Sequence, residues 1–122
     1  MKRLGFLALF LLALACNRGE SAPPTTQPEG NPEHGRQLVT QYGCPVCHTI
    51  PGVEGAVGAL GPTLQGVASR PALSFGAVQN TPANVARFIQ NPASMNPQSS
   101  MPPISMPPAD AQDIAAFLGT LH

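Results

Sequence analysis

Cys44-Pro45-Val46-Cys47-His48 decides how this chain is read. Two thiols three positions apart, followed at once by an imidazole, form the CxxCH signature for covalent attachment of c-type haem. The spacing has a physical reason. The two thiols can reach the vinyl groups on one edge of a porphyrin as thioethers. The next residue, His48, is then placed beneath the ring, where its imidazole can bind iron. Three other chemistries use the same atoms. A thioredoxin-like dithiol belongs at a helix start after a strand, and no strand pattern precedes Tyr42-Gly43. A structural zinc site needs four N/S ligands; beyond Cys44, Cys47 and His48 there are only His34 and the terminal His122. A plain Cys44–Cys47 disulfide would leave the long loops described below with nothing to wrap.

Export supports the haem reading, because this attachment is made outside the cytoplasm. Met1-Lys2-Arg3 is a short basic start, and Leu4 to Ala15 is an apolar run interrupted only by Gly5. That run is too short to span a bilayer and suits a signal peptide, expected over 1–15. Ala13-Leu14-Ala15 is a small-x-small cleavage pattern, and Cys16 follows it. The Leu-Ala-Leu-Ala-Cys segment resembles the lipobox of bacterial lipoproteins, although Ala13 stands where that family most often has Leu. The resemblance implies lipidation of Cys16. Ordinary cleavage at Ala15 would instead leave an exported free thiol. With lipid on Cys16 and haem on Cys44 and Cys47, no thiol is left over.

The mature chain then carries four arginines, six carboxylates and no lysine, a net charge of −2. Nucleic acid is excluded as a main partner. Residues 16–31 are polar and Pro-rich without apolar periodicity, and are expected to form a disordered tether of roughly 45 Å reach. The domain is expected over 32–122. With fifteen prolines, twelve glycines and no tryptophan in 122 residues, long regular elements are scarce, and a core this small calls for a staple or cofactor.

Three helices are predicted. The first runs from Pro32 to Tyr42, with Leu38, Val39 and Tyr42 on one side and Gly35 one turn earlier. The second opens at Thr81-Pro82, a cap followed by proline at the first helical position, and stops at Asn91-Pro92. The third runs from about Pro108 to Leu121, with Ala111, Ile114, Phe117, Leu118 and Leu121 as its apolar stripe. A short turn fits 63–69, and no period-2 strand of useful length is present. The fold class is all-α, with long loops at 49–62 and 92–107 that suit wrapping a cofactor.

Over residues 33–122 the chain resembles class I cytochromes c. The resemblance rests on Gly35 with Leu38-Val39, on Cys44-x-x-Cys47-His48 and on Gly61-Pro62-x-Leu64. It rests further on the helix from Asn80-Thr81-Pro82 to Asn91-Pro92, and on Met101-Pro102-Pro103-Ile104 followed by Asp113-Ile114-Ala115-Ala116-Phe117-Leu118. Within the family it looks most like the cytochrome c domains attached to subunit II of caa-type oxidases, through Ala68-Ser69-Arg70 and Asn80-Thr81-Pro82. The resemblance implies a small cytochrome c fold around one covalent haem c, with His48 and Met101 as iron ligands. Met95 and Met106 do not match the ligand position. Pro62 matches the proline whose carbonyl accepts the His48 Nδ1 proton. Gly35 matches the small residue where the first and last helices cross, against Phe117. Arg70 is a candidate partner for a haem propionate, with a solvated surface arginine as the alternative. Phe88 stands where many relatives have Trp, and Pro107 where they usually have a helix cap, for which Asp110 in the first turn could compensate.

The expected function is a membrane-tethered monohaem cytochrome carrying single electrons between respiratory or dehydrogenase partners. It would sit in the periplasm or on the outer face of the cytoplasmic membrane. Alternatives are a fixed haem subunit of a larger oxidoreductase, and a peroxidase-type enzyme, against which Met101-Pro102-Pro103 argues. Without lysines, docking is expected through a small apolar patch near Val46, Ile50 and the 101–104 loop rather than a cationic ring.

Overall fold

The computed structural model describes residues 30–122. The expected signal peptide, Cys16 and the tether up to residue 29 lie outside the described residues. Four α-helices carry the fold: α1 (Pro32–Gln41), α2 (Pro82–Gln90), α3 (Pro92–Met95) and α4 (Pro108–Leu118). Two 3₁₀ turns, Cys44–Val46 and Val67–Ser69, and a two-strand antiparallel hairpin, β1 (Ala72–Leu73) with β2 (Val78–Gln79), fill the connections. This is the small all-α fold that the sequence implies.

α1 starts at Pro32, as the sequence predicts, and ends at Gln41, one residue short of the predicted Tyr42. Asn31 caps the helix, its Oδ1 accepting from the amides of Glu33 and His34 at 3.0 and 3.1 Å. Its own amide donates to Asp113 Oδ1 at 2.7 Å. Gly30 packs so tightly on α4 that an added Cβ would lie 2.2 Å from the Gln112 carbonyl oxygen. Gly30 and Asn31, assigned to the tether by composition, are therefore part of the folded domain.

α1 and α4 cross with backbone nearly touching backbone. A Cβ on Gly35 would sit 2.0 Å from the carbonyl oxygen of Asp113. The nearest neighbours of Gly35 are thus the Asp113–Ile114 backbone, not the expected Phe117 ring. That approach buries Leu38 and Val39 together with Ala111, Ile114, Ala115, Phe117 and Leu118 in one apolar cluster, which Val85, Ala86 and Ile89 of α2 complete. Each buried branched aliphatic side chain stabilises by about 1.5–3 kcal/mol.

Several local departures have local causes. Thr81 caps α2 through a bond from the Asn84 amide at 3.2 Å. Asn91-Pro92 ends α2 as predicted, but Asn91 then caps one further turn, α3, inside the segment read as a loop. α4 begins at Pro107-Pro108 with no side-chain cap and ends at Leu118, three residues short of the predicted limit. Asp110 in its first turn accepts a bond from the Tyr42 hydroxyl at 2.6 Å, which ties the end of α1 to the start of α4.

Candidate haem-binding site

The site grows from the end of α1. Gly43 takes a left-handed backbone (φ 74) that a Cβ would penalise, and turns the chain into the 3₁₀ turn of Cys44–Val46. The amides of Cys47 and His48 both donate to the Cys44 carbonyl, at 3.2 and 3.0 Å. This curl carries Cys44, Cys47 and His48 on one tight turn. Neither cysteine is in a disulfide, and both are partly buried. Burial pushes the Cys44 thiol above its ordinary value of 9.0, and the neighbouring Cys47 adds to the shift.

The segment after the motif folds back on it. Thr49 bridges to Val57 in antiparallel fashion, and the Thr49 hydroxyl donates to the Gly58 carbonyl at 3.1 Å. Gly58 and Gly61 permit the contact: a Cβ on Gly58 would meet the Pro45 carbonyl oxygen at 2.6 Å, and one on Gly61 would meet His48 Cε1 at 2.6 Å. The Gly61 amide donates to the Cys47 carbonyl at 2.7 Å. This fold-back turns Ile50 inward, where it is 2% exposed. Ile50 therefore cannot belong to the apolar docking patch expected from the sequence. Val46, Val57 and Leu60 are the exposed aliphatic side chains of this region, each more than 70% exposed.

His48 Nδ1 lies 2.7 Å from the carbonyl oxygen of Pro62. A carbonyl can only accept, so Nδ1 carries the proton and Nε2 is left with its lone pair, the state a metal-binding imidazole needs. The loop after Pro62 is stapled by Arg70, whose Nη2 donates to the Thr63 and Gln65 carbonyls at 2.8 and 2.9 Å. Its Nε and Nη1 make no hydrogen bond to protein among the described residues. Asn80, which sequence reading assigned no contact, fastens the second 3₁₀ turn to the start of α2. Its Nδ2 donates to the carbonyls of Val67 and Arg70 at 2.9 and 2.7 Å.

Met101 lies between α3 and α4, is partly buried and, like Tyr42, Cys44, Leu64 and Ile104, packs against the core cluster. Met106 also packs on that cluster, and Met95 ends α3.

The residues fit a haem better than the other cofactors considered. Among the described residues no three His, Cys, Asp or Glu side chains gather to hold a metal ion, which removes the zinc site. The cysteines follow a helix and a turn, not a strand, which removes the thioredoxin-like arrangement. What remains is two free thiols beside an imidazole with a defined tautomer, its ring packed so close to Gly61 that a Cβ there would strike it. A helical fold with that constellation defines a c-type cytochrome. Residues 32–122 match the family described as Cytochrome c, and the chain belongs to it. No curated protein matches the chain. Its cofactor is covalently bound haem c with iron, and its chemistry is haem-based electron transfer, the general role of the family.

Proposed function

We propose that this chain is an exported, lipid-anchored monohaem electron carrier, held by Cys16 and a Pro-rich tether at the outer face of a cytoplasmic membrane. Its redox partners would be an oxidase, a dehydrogenase or another cytochrome. Haem c supplies a one-electron Fe(III)/Fe(II) couple when bound. Cys44 and Cys47 hold it by thioethers. His48 would present Nε2 to the iron, its ring oriented by the Pro62 carbonyl. Met101 would supply a thioether as a second protein ligand to the iron, which would raise the potential. Arg70 retains Nε and Nη1 as donors for a propionate while its Nη2 staples the loop.

The observation that carries this reading is the forced tautomer of His48 beside two free thiols, together with a partly buried Met101 in the loop before α4. A sixth position closed by Met101 would favour a carrier over a peroxidase. The resemblance to caa-type subunit II domains keeps a fixed oxidase subunit as the second reading.

The test is a set of spectra on the oxidised holoprotein. The long-wavelength sulfur-to-iron charge-transfer band should vanish in Met101→Leu and persist in Met95→Leu and Met106→Leu. Persistence in Met101→Leu would contradict the ligand assignment. Cys16→Ser should move the protein from the membrane to the soluble fraction, and continued membrane retention would contradict the anchor.

A further inference from the structure

Asn96 is the one buried polar residue among those described, 9% exposed, and it belongs to none of the motifs that identify the family. Every polar atom of its side chain is engaged. Nδ2 donates to Ser74 Oγ at 2.9 Å and more weakly to the Ser74 carbonyl at 3.3 Å. Oδ1 accepts from the Gln98 amide at 3.0 Å. The backbone carbonyl of Asn96 accepts from Ser99 at 2.9 Å, and the Ser99 hydroxyl accepts from the Met101 amide at 3.3 Å. A continuous hydrogen-bonded path thus runs from Ser74 through Asn96 and Ser99 to Met101.

The loop needs such a device. Pro97, Pro102, Pro103 and Pro107 remove backbone donors from it, so it cannot hold itself by a regular ladder. Its downstream end is fixed to α2 by Ile104 N to Ile89 O at 3.2 Å and by Gln90 Nε2 to Met106 O at 3.1 Å. Its upstream end is fixed by Asn96. The anchor that Asn96 grips is itself unusual. Ser74, Phe75 and Gly76 are three successive left-handed residues (φ 50, 57 and 86) at the hairpin tip. Non-glycine residues adopt this conformation at a cost and keep it only where their surroundings impose it.

We propose that Asn96 is a positioning residue for the sixth iron ligand. It pins the Met101 loop to the Ser74 turn, so that Met101 ligation depends on a hydrogen bond made to a different element of the fold. The inference rests on the reading of Met101 as ligand given above.

The test uses imidazole as a competing ligand for the iron of the oxidised holoprotein, in the wild type, Asn96→Asp, Ser74→Gly and Met101→Leu. Asn96→Asp removes both Nδ2 donations, to Ser74 Oγ and to the Ser74 carbonyl, leaves at most a reversed bond from the Ser74 hydroxyl, and keeps an acceptor for the Gln98 amide. Losing a buried hydrogen bond of this kind should tighten imidazole binding about tenfold, the equivalent of about 1.4 kcal/mol, and weaken the sulfur-to-iron band. Ser74→Gly removes the Oγ acceptor while relieving the strain at φ 50. It should leave global stability unchanged or higher, yet still tighten imidazole binding several-fold. A merely structural role would not produce that combination. Should Asn96→Asp fail to fold, Ser74→Gly decides the matter. Wild-type imidazole affinity and an intact band in the folded variants would overturn the proposal. A sulfur-to-iron band surviving in Met101→Leu would show instead that the ligand assignment beneath it has failed.

Discussion

The Nδ1 of His48 and the carbonyl oxygen of Pro62 are 2.7 Å apart, and the residue before that proline, Gly61, packs closely against the same imidazole. The pair settles which ring nitrogen is protonated, and glycine is what allows them to meet. In Gly61→Ala the new Cβ would stand 2.6 Å from His48 Cε1, so the ring must move and the bond to Pro62 lengthens. A less basic imidazole stabilises Fe(III) less, so the midpoint potential should rise by tens of millivolts, since about 60 mV corresponds to about 1.4 kcal/mol in a one-electron couple. A redox titration of the holoprotein checks this. Pro62→Ala, which keeps the carbonyl, should shift the potential much less.

The crossing of α1 and α4 should tolerate no side chain at position 35. Alanine there gains helix propensity, roughly 1 kcal/mol, but its Cβ would sit 2.0 Å from the Asp113 carbonyl oxygen. Forcing two packed backbones apart outweighs the gain, and a net loss of about 2 kcal/mol is expected from overpacking of this kind. Denaturant unfolding of the holoprotein, wild type against Gly35→Ala, measures it.

Asp113 fastens α4 to the start of α1. Its Oδ2 is 2.7 Å from His34 Nδ1 and its Oδ1 accepts from the Asn31 amide. The His34 bond first, and the Asn31 bond second, hold its carboxyl below the ordinary value of 3.8. A carboxylate lowered in the folded state adds stability that is fully present above the unfolded value and fades as the pH falls through the lowered one. Asp113→Asn should therefore be less stable than the wild type at neutral pH. The difference should shrink only below about pH 4. A stability gap that stays constant down to strongly acidic pH would contradict this role.

Docking should be insensitive to salt. From Gly43 to Pro62 the only acidic or basic side chains besides the motif's own thiols and His48 are those of Glu54, and the exposed aliphatic groups there are Val46, Val57 and Leu60. An encounter through such a face is not steered by charge. The bimolecular rate of electron exchange with a redox partner should change little with ionic strength. Leu60→Glu should slow it without altering the midpoint potential.

The three long helices were legible in the sequence because caps, prolines and apolar spacing agree at Thr81-Pro82, at Asn91-Pro92 and along Ala111–Leu121. The cofactor was legible because CxxCH is a covalent requirement independent of tertiary context. Other features depend on contacts that no local pattern encodes. Ile50 looks like any exposed loop residue until the Thr49–Val57 bridge turns it inward. The strands at 72–73 and 78–79 are too short to show a period. The family resemblance marks Gly35 as a crossing residue, but its partner is backbone, which side-chain spacing cannot reveal. Asn96 carries no motif, and its role emerges only when Ser74, distant in sequence, is placed beside it.

The central claim is that Cys44 and Cys47 carry one haem through thioether bonds. Its most direct test is the intact mass of the exported protein after acid denaturation and extraction of non-covalent haem. One haem should remain bound to the wild-type chain, and none to Cys44→Ala/Cys47→Ala. A wild-type mass equal to the bare polypeptide with its lipid would contradict the account.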